Sequence, residues 1–188
     1  MESLNNKFYS KAYKKYGVCA QGVHWSSQKT QYIRFNVLTS FIEKDIENSS
    51  ILDIGCGFAE YLNFLQIKEL KAKEYLGIDC EEFMIKESKK RFSEYQFLQI
   101  DILKDILPKK DYLLCSGALN ILKKEEFFKA IEKCYKTSQK GFIFNFLTKE
   151  TFNNLQKQEV ILFCQNIAKK VTISKVYLPN DITLFLEK

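Results

Sequence analysis

The segment Ile51-Leu52-Asp53-Ile54-Gly55-Cys56-Gly57-Phe58-Ala59-Glu60 restricts the fold more than any other stretch of the chain. A short apolar run meets two closely spaced glycines and then a helix-forming stretch. Glycines at 55 and 57 let the backbone bend sharply and approach a ligand closely, because no Cβ stands in the way. The helix that follows turns its unpaired N–H groups toward that ligand. This is the geometry of a nucleotide site at the first strand-to-helix turn of a doubly wound α/β domain.

Electrostatics sorts the nucleotides. A dinucleotide turn takes G-x-G-x-x-G, with pyrophosphate on the helix N-terminus. Here Gly55 and Gly57 fit, but Glu60 stands at the third glycine, and Asp53 lies two residues before the first. Two carboxylates in a partly dry cleft repel a pyrophosphate. They suit a ligand without phosphate and with a positive end, such as S-adenosylmethionine (SAM), which carries an ammonium and a sulfonium. An NAD-binding oxidoreductase is disfavoured on the same ground.

Alternation of apolar runs with helical stretches predicts β-α-β units and a mostly parallel sheet. Strands are expected at 51–54, 74–79, 96–100, 111–115 and 141–146, and helices at about 58–67, 81–92, 124–137 and 151–169. Tyr61, Leu62 and Leu65 share one face of the first of these helices. Glu81-Glu82 open the second and Lys89-Lys90-Arg91 close it, in the order that complements the helix dipole. Two β-rich runs, 171–178 and 182–187, joined by Pro179-Asn180-Asp181, form a terminal hairpin. A further helix is expected over about 28–42, with Ile33, Val37, Leu38 and Phe41 facing inward.

The glycine turn resembles motif I of the class I SAM-dependent methyltransferases, Asp/Glu-x-Gly-x-Gly-x-Gly, with Ala59 in place of the last glycine. The resemblance extends over about residues 45–188, because that family places its seventh strand antiparallel beside the fifth, which a terminal hairpin supplies. It implies an α/β, doubly wound, seven-stranded mostly parallel sheet with a C-terminal antiparallel hairpin and helices on both faces. It divides the chain into a helical N-terminal lid, 1–45, and a methyltransferase core, 46–188. The layout His24-Trp25-x-x-Gln28…Arg34-Phe35, with Ser116-Gly117-Ala118-Leu119-Asn120, also resembles a subgroup of small bacterial methyltransferases.

Ligands of an open α/β sheet lie at the carboxyl ends of its strands. The family's roles carry over to those ends here. Asp53, Gly55, Cys56 and Gly57 close strand 1 around the cofactor. Asp79, with Cys80 after it, closes strand 2 and accepts from the ribose hydroxyls; ionised acceptors make the stronger hydrogen bonds. Asp101 accepts from the adenine amino group, with the Ile102 N–H facing the ring. Ser116 and Gly117 run along the methionine part. An Asp just past a strand is also a common helix N-cap, so each assignment leans on the others. Arg34 has the fork for the SAM carboxylate, and a surface ion pair is its other reading. His24, Asn120 and Asn145 are the polar candidates for catalysis at the acceptor rim. Methyl transfer does not demand an acid or a base, since orientation alone supplies about 7–11 kcal/mol.

Composition narrows the partners. The chain has 188 residues, 46% of them hydrophobic, and a net charge of +6, which describes one globular domain with a lysine-rich surface. Lysines occur in scattered pairs and only Arg34 and Arg91 are arginines, so no basic patch for nucleic acid stands out. The strand-4 end reads Ser-Gly-Ala-Leu and not the Asn-Pro-Pro-Tyr of enzymes that methylate DNA amino groups. No stretch is apolar for the ~20 residues of a membrane span, and the first residues lack a signal-peptide core, so a cytoplasmic location is expected. Six cysteines without a C-x-x-C pair read as buried reduced thiols; no metal is expected. The expected activity is methyl transfer from SAM to an O or N of a small polar acceptor, such as a sugar or phosphate-bearing precursor of a surface polysaccharide, with S-adenosylhomocysteine as product. The alternatives are an RNA methyltransferase and a non-catalytic SAM-binding module. Nothing in the sequence specifies an oligomeric state.

Overall fold

The computed structural model describes residues 4–23, 27–149 and 155–188. Seven strands form one sheet: β1 (Ser50–Ile54), β2 (Glu74–Asp79), β3 (Gln96–Gln99), β4 (Tyr112–Ser116), β5 (Gly141–Leu147), β6 (Lys170–Lys175) and β7 (Asp181–Glu187). Their order is β3-β2-β1-β4-β5-β7-β6. β1 to β5 pair in parallel, and β7 lies antiparallel between β5 and β6. The chain winds outward from β1 to β3, returns, and continues on the other side through β4. The topological switch therefore falls between β1 and β4, where such sheets open a crevice.

Among the described residues there are six α-helices: α1 (Leu4–Tyr16), α2 (Gln28–Ser40), α3 (Glu60–Ile67), α4 (Glu82–Arg91), α5 (Lys124–Thr137) and α6 (Lys157–Ile167). The central strands are apolar on both sides because helices cover both. Ile51, Tyr75, Phe97, Leu114, Ile143 and Phe185 face one layer, made of Phe35 and Leu38 from α2, Tyr61, Phe64 and Leu65 from α3, and Ile85 from α4. Leu52, Ile54, Leu113, Cys115, Phe142, Phe144 and Phe146 face the other, made of Phe127, Ala130, Ile131 and Cys134 from α5 and Val160, Ile161 and Cys164 from α6. The spacing of the α5 residues is that of one helical face.

Helix α2 begins at Ser27, whose side chain accepts from the Thr30 N–H at 3.2 Å. Its inward face differs from the expected one. Of Ile33, Val37, Leu38 and Phe41, only Leu38 is fully buried; Gln31, Arg34, Phe35 and Thr39 are the others. Apolar spacing alone pointed to a stripe that includes Ile33 and Val37. The buried stripe is rotated because Arg34 pairs with Asp181 at the sheet's rim and Thr39 meets the Tyr61 hydroxyl of α3. The hairpin strand expected over 171–178 stops at Lys175, since Val176 takes a left-handed φ of 73° and leaves the ladder. The helix expected from 151 begins at Lys157; residues 151–154 lie outside the described residues.

Candidate active site

The turn after β1 departs from the sheet through three left-handed residues, Gly55 (φ 69°), Gly57 (φ 53°) and Ala59 (φ 60°). The N–H groups of Gly55 and Cys56 both donate to the Ile78 carbonyl, at 2.8 and 2.9 Å, so the bend is locked onto the end of β2. A Cβ on Gly55 would stand 2.3 Å from the Cβ of Ala118, which follows β4. The turns after β1 and β4 thus meet edge to edge, and only glycine at 55 permits it.

Asp79 braces this bend from β2. One carboxylate oxygen accepts from the Gly57 N–H at 3.0 Å and the other from the Glu81 N–H at 2.9 Å. Burial raises its pKa to about 6, against the lowering effect of those N–H groups. A carboxylate has about four acceptor positions, so Asp79 keeps capacity for a ligand's hydroxyls. Asp53 is 4% exposed beneath the turn and accepts from the Tyr75 hydroxyl at 2.6 Å. Burial pushes it up to about 7 despite that bond. Cys56 is buried, with its thiol held far above the usual range by burial. The exposed Cys80 is raised to about 12 by desolvation and by Asp79.

Glu60 does not line the cleft as a free charge. It accepts from Tyr32, Asn63 and Arg91, each at 2.9 Å, and Arg91 also donates to the Phe58 carbonyl. Burial raises its pKa, but those donors outweigh it and hold the group below the usual range. Arg91 therefore offsets Glu60, and the acidic group braced against the bend itself is Asp79.

Asp101 follows β3. It accepts from the Leu103 N–H at 2.9 Å and pairs with Lys104 at 2.6 Å. Burial opposes its charge, yet Lys104 and Leu103 keep its pKa below the usual carboxylate range. Ile102 is half-buried and packs against the core, and its carbonyl accepts from Lys133 at 2.8 Å. Ser116 ends β4; its Oγ is buried without a hydrogen-bond partner. Gly117 takes φ 81° to enter the short 3₁₀ turn 118–121.

The candidates expected at the acceptor rim take different places. Asn120 spends its carbonyl on the Leu147 N–H at 3.0 Å, tying the β4 turn to the end of β5. Asn145 and Arg34 meet at Asp181, which the sequence offered only as part of a turn. β7 runs antiparallel, so its first residue lies at the same edge as the last residue of β5, and Asp181 pairs with Leu147. Arg34 Nε and Nη2 donate to the two Asp181 oxygens, both at 2.6 Å, and Nη1 reaches the Thr30 carbonyl at 3.2 Å. The fork expected at the SAM carboxylate is thus engaged by a buried side chain of this protein. Asn145 Nδ2 donates to Asp181 at 3.4 Å. The Tyr177 hydroxyl bonds Thr183 at 2.8 Å and is pushed up to about 12 by burial. Gln31, Tyr177, Asp181 and Thr183 went unnoticed in the sequence. A buried arginine needs a counter-charge, but nothing local to residue 34 points 147 positions downstream. His24 lies outside the described residues.

From α1, Tyr13 packs against Phe58 and Phe83 with ring centroids 5.4 and 5.2 Å apart. The phenol end of Tyr9 lies deep near the strand ends, where burial first and the charge of Asp79 next raise its pKa. Among the described residues no cluster of side chains can hold a metal.

A parallel sheet with its switch at a glycine bend, acidic strand ends and an antiparallel seventh strand defines the class I methyltransferase architecture. Residues 51–141 match the family model described as a methyltransferase domain. No curated protein sequence matches the chain significantly. The fold is similar to a SAM-dependent methyltransferase from Clostridium acetobutylicum (TM-score 0.68, 13% identity, covering 98% of this chain and 99% of that one). It is similar also to a TehB-like SAM-dependent methyltransferase from Corynebacterium glutamicum (0.69, 13%, 98% and 98%). A third likeness is to magnesium protoporphyrin IX methyltransferase from Synechocystis, crystallised with SAM (0.68, 15%, 84% and 80%). By fold the chain is similar to the class I, Rossmann-like SAM-dependent methyltransferases, and its residues 51–141 match the methyltransferase-domain model.

Proposed function

We propose that the protein transfers the methyl group of SAM to a small polar acceptor held between α2 and the ends of β4, β5 and β7. The observation that carries this reading is the alignment of Asp79, the Gly55–Gly57 bend and Ser116 on three adjacent strands, with the Arg34–Asp181–Asn145 cluster next in line. The unpartnered Ser116 Oγ fits a polar ligand along β4. Asp79 would hold the ribose, the backbone of Gly55, Cys56 and Gly57 the methionine end, and Asp101, Ile102 and Cys80 the adenine edge. Bound SAM supplies a methyl group already activated on a sulfonium.

What these side chains contribute is placement. Asp79 fixes one end of the cleft, and Asn120 keeps the β4 and β5 ends in register. Helix α1, with Tyr9 and Tyr13, covers the strand ends and excludes water, which is the role expected of a lid within 1–45. A small acceptor is favoured because α1 and α2 both close over the crevice. An open cavity of about 470 Å³ beside Asp181 and Tyr177 is flanked by Lys157 and Lys175, which favours an acceptor carrying an anionic group such as a phosphate. Among the described residues no helix is long and apolar enough to cross a membrane.

Thermal melting with and without ligands tests the cofactor site. At about 100 times its Kd a ligand stabilises by ~2.7 kcal/mol, or roughly 5–10 °C for a chain of this size. SAM and S-adenosylhomocysteine are expected to give that rise, and NAD none. Asp79→Ala should weaken SAM binding roughly ten- to a hundredfold. Unchanged affinity in that variant would remove Asp79 from the site.

A further inference from the structure

Among the described residues, three buried side-chain atoms have no hydrogen-bond partner: Gln31 Oε1, Ser116 Oγ and Asn145 Oδ1. Two are amide carbonyls, on residues only 3% and 1% exposed. Such atoms cost about 1–3 kcal/mol each when left unpaired, so their retention calls for a reason.

The orientation of Asn145 is fixed by chemistry. Its neighbour Asp181 accepts hydrogen bonds and cannot donate them while paired with Arg34, so the group facing Asp181 must be the NH₂. The carbonyl then points away from the ion pair. Asn145 lies beside Ser116 in the β4–β5 register and beside Thr183 in the β5–β7 register. Gln31 stands one turn before Arg34 on the buried face of α2, about 4.5 Å further along the axis. Arg34 joins that face to Asp181, and Asp181 joins it to Asn145.

We propose that Gln31 and Asn145 are the acceptor pair that selects the methylated group, and that this group is a primary amine. The proposal rests on the methyltransferase reading of the same site. A carbonyl oxygen can only accept, so two of them ask for two donors on the substrate. A neutral amine offers two N–H groups and keeps its lone pair free for the methyl. A hydroxyl offers one O–H, leaves one carbonyl unpaired, and gains from a base to take its proton. Within the described cluster the carboxylate is held in its ion pair, with Arg34 donating to both Asp181 oxygens and Asn145 to one of them. The Arg34–Asp181 pair also carries no net charge. An amine buried beside it sheds its ammonium proton to water, because desolvation disfavours the charged form.

The reaction balances without another participant. The nitrogen lone pair forms the new N–C bond as the S–C bond breaks, with that electron pair remaining on sulfur. The product ammonium then loses one proton to water.

The test is release of S-adenosylhomocysteine from SAM with glucosamine and ethanolamine, set against glucose and ethylene glycol. Release at least tenfold faster with the amines is expected. Faster release with the alcohols, or none with either pair, overturns the proposal. Gln31→Leu supplies a second arm, because replacing an unpaired buried amide by an apolar side chain should leave melting equal or higher. That variant should lose at least tenfold in kcat/KM for the amine while SAM affinity stays within twofold. Gln31→Glu should move the activity profile to higher pH, since a carboxylate there holds the ammonium. A lower melting temperature with unchanged kcat/KM in Gln31→Leu would make Gln31 structural and end the proposal. Failure of SAM to raise the melting of the wild-type protein would end the parent reading instead.

Discussion

Ala59 occupies the position where motif I carries its last glycine, and its φ of 60° shows what that glycine is for. A Cβ in the left-handed region costs roughly 1–2 kcal/mol, and glycine gives back about 0.5–1 through the entropy of the unfolded chain. Ala59→Gly is therefore expected to stabilise by about 0.5–1 kcal/mol, read as a higher denaturant midpoint with an unchanged slope. At Gly55 the same exchange runs the other way, because Ala118 blocks the added methyl. Asp79 makes a second prediction. Its pKa of about 6 means that below this pH a proton must leave before ribose hydroxyls can donate to it. SAM affinity should fall up to tenfold per unit as pH drops below about 6, in calorimetry over pH 5–8. Asp79→Asn should flatten the curve.

One buried ion pair ties helix α2 to β7. Arg34 and Asp181 are both buried and joined by two 2.6 Å bonds, so either partner alone is an unpaired charge in the interior. Removing one is expected to cost about 3–5 kcal/mol. Asp181→Ala should lower the denaturation midpoint accordingly, and Arg34→Ala by a similar amount. The double variant should lose less than the sum, because it leaves no orphaned charge. Arg34→Lys should recover little, since an ammonium cannot match both oxygens.

Across the molecule, acid stability separates into two windows. Asp53 and Asp79 have folded pKa values of about 7 and about 6, raised by burial above the unfolded value of 3.8. The folded state therefore holds protons that the unfolded state has lost, and their stabilising effect is complete below about pH 4 and gone above about pH 7. Asp45, Glu60, Asp101 and Asp111 are depressed and act in the opposite sense, losing their contribution as pH falls below about 4. Between pH 4.5 and 7.5 the denaturation midpoint should decline as pH rises. Asp53→Asn should remove much of that decline while keeping an acceptor for Tyr75. An unaltered slope in the variant would detach Asp53 from it.

The order of strands and helices, the glycine bend and the acidic strand ends were legible in the sequence because they are local. Apolar runs of strand length, a 3.6-residue period in α3 and α5, and two glycines two residues apart each have one structural reading. Glu60 was legible as a carboxylate near the bend, but not as one offset by Arg91, 31 residues away. The hairpin was legible, yet the register that sets Asp181 against Leu147 was not, since pairing depends on partners across the sheet. Long-range charge pairing then decided which face of α2 is buried, overriding its apolar stripe. Sequence thus determined the fold and the glycine bend with its acidic strand ends, where each signal is carried by neighbours in the chain. Tertiary structure alone brought Arg34, Asn145 and Asp181 together from three distant segments, with Gln31 one turn along α2 from Arg34, because burial and hydrogen bonds across the sheet join them.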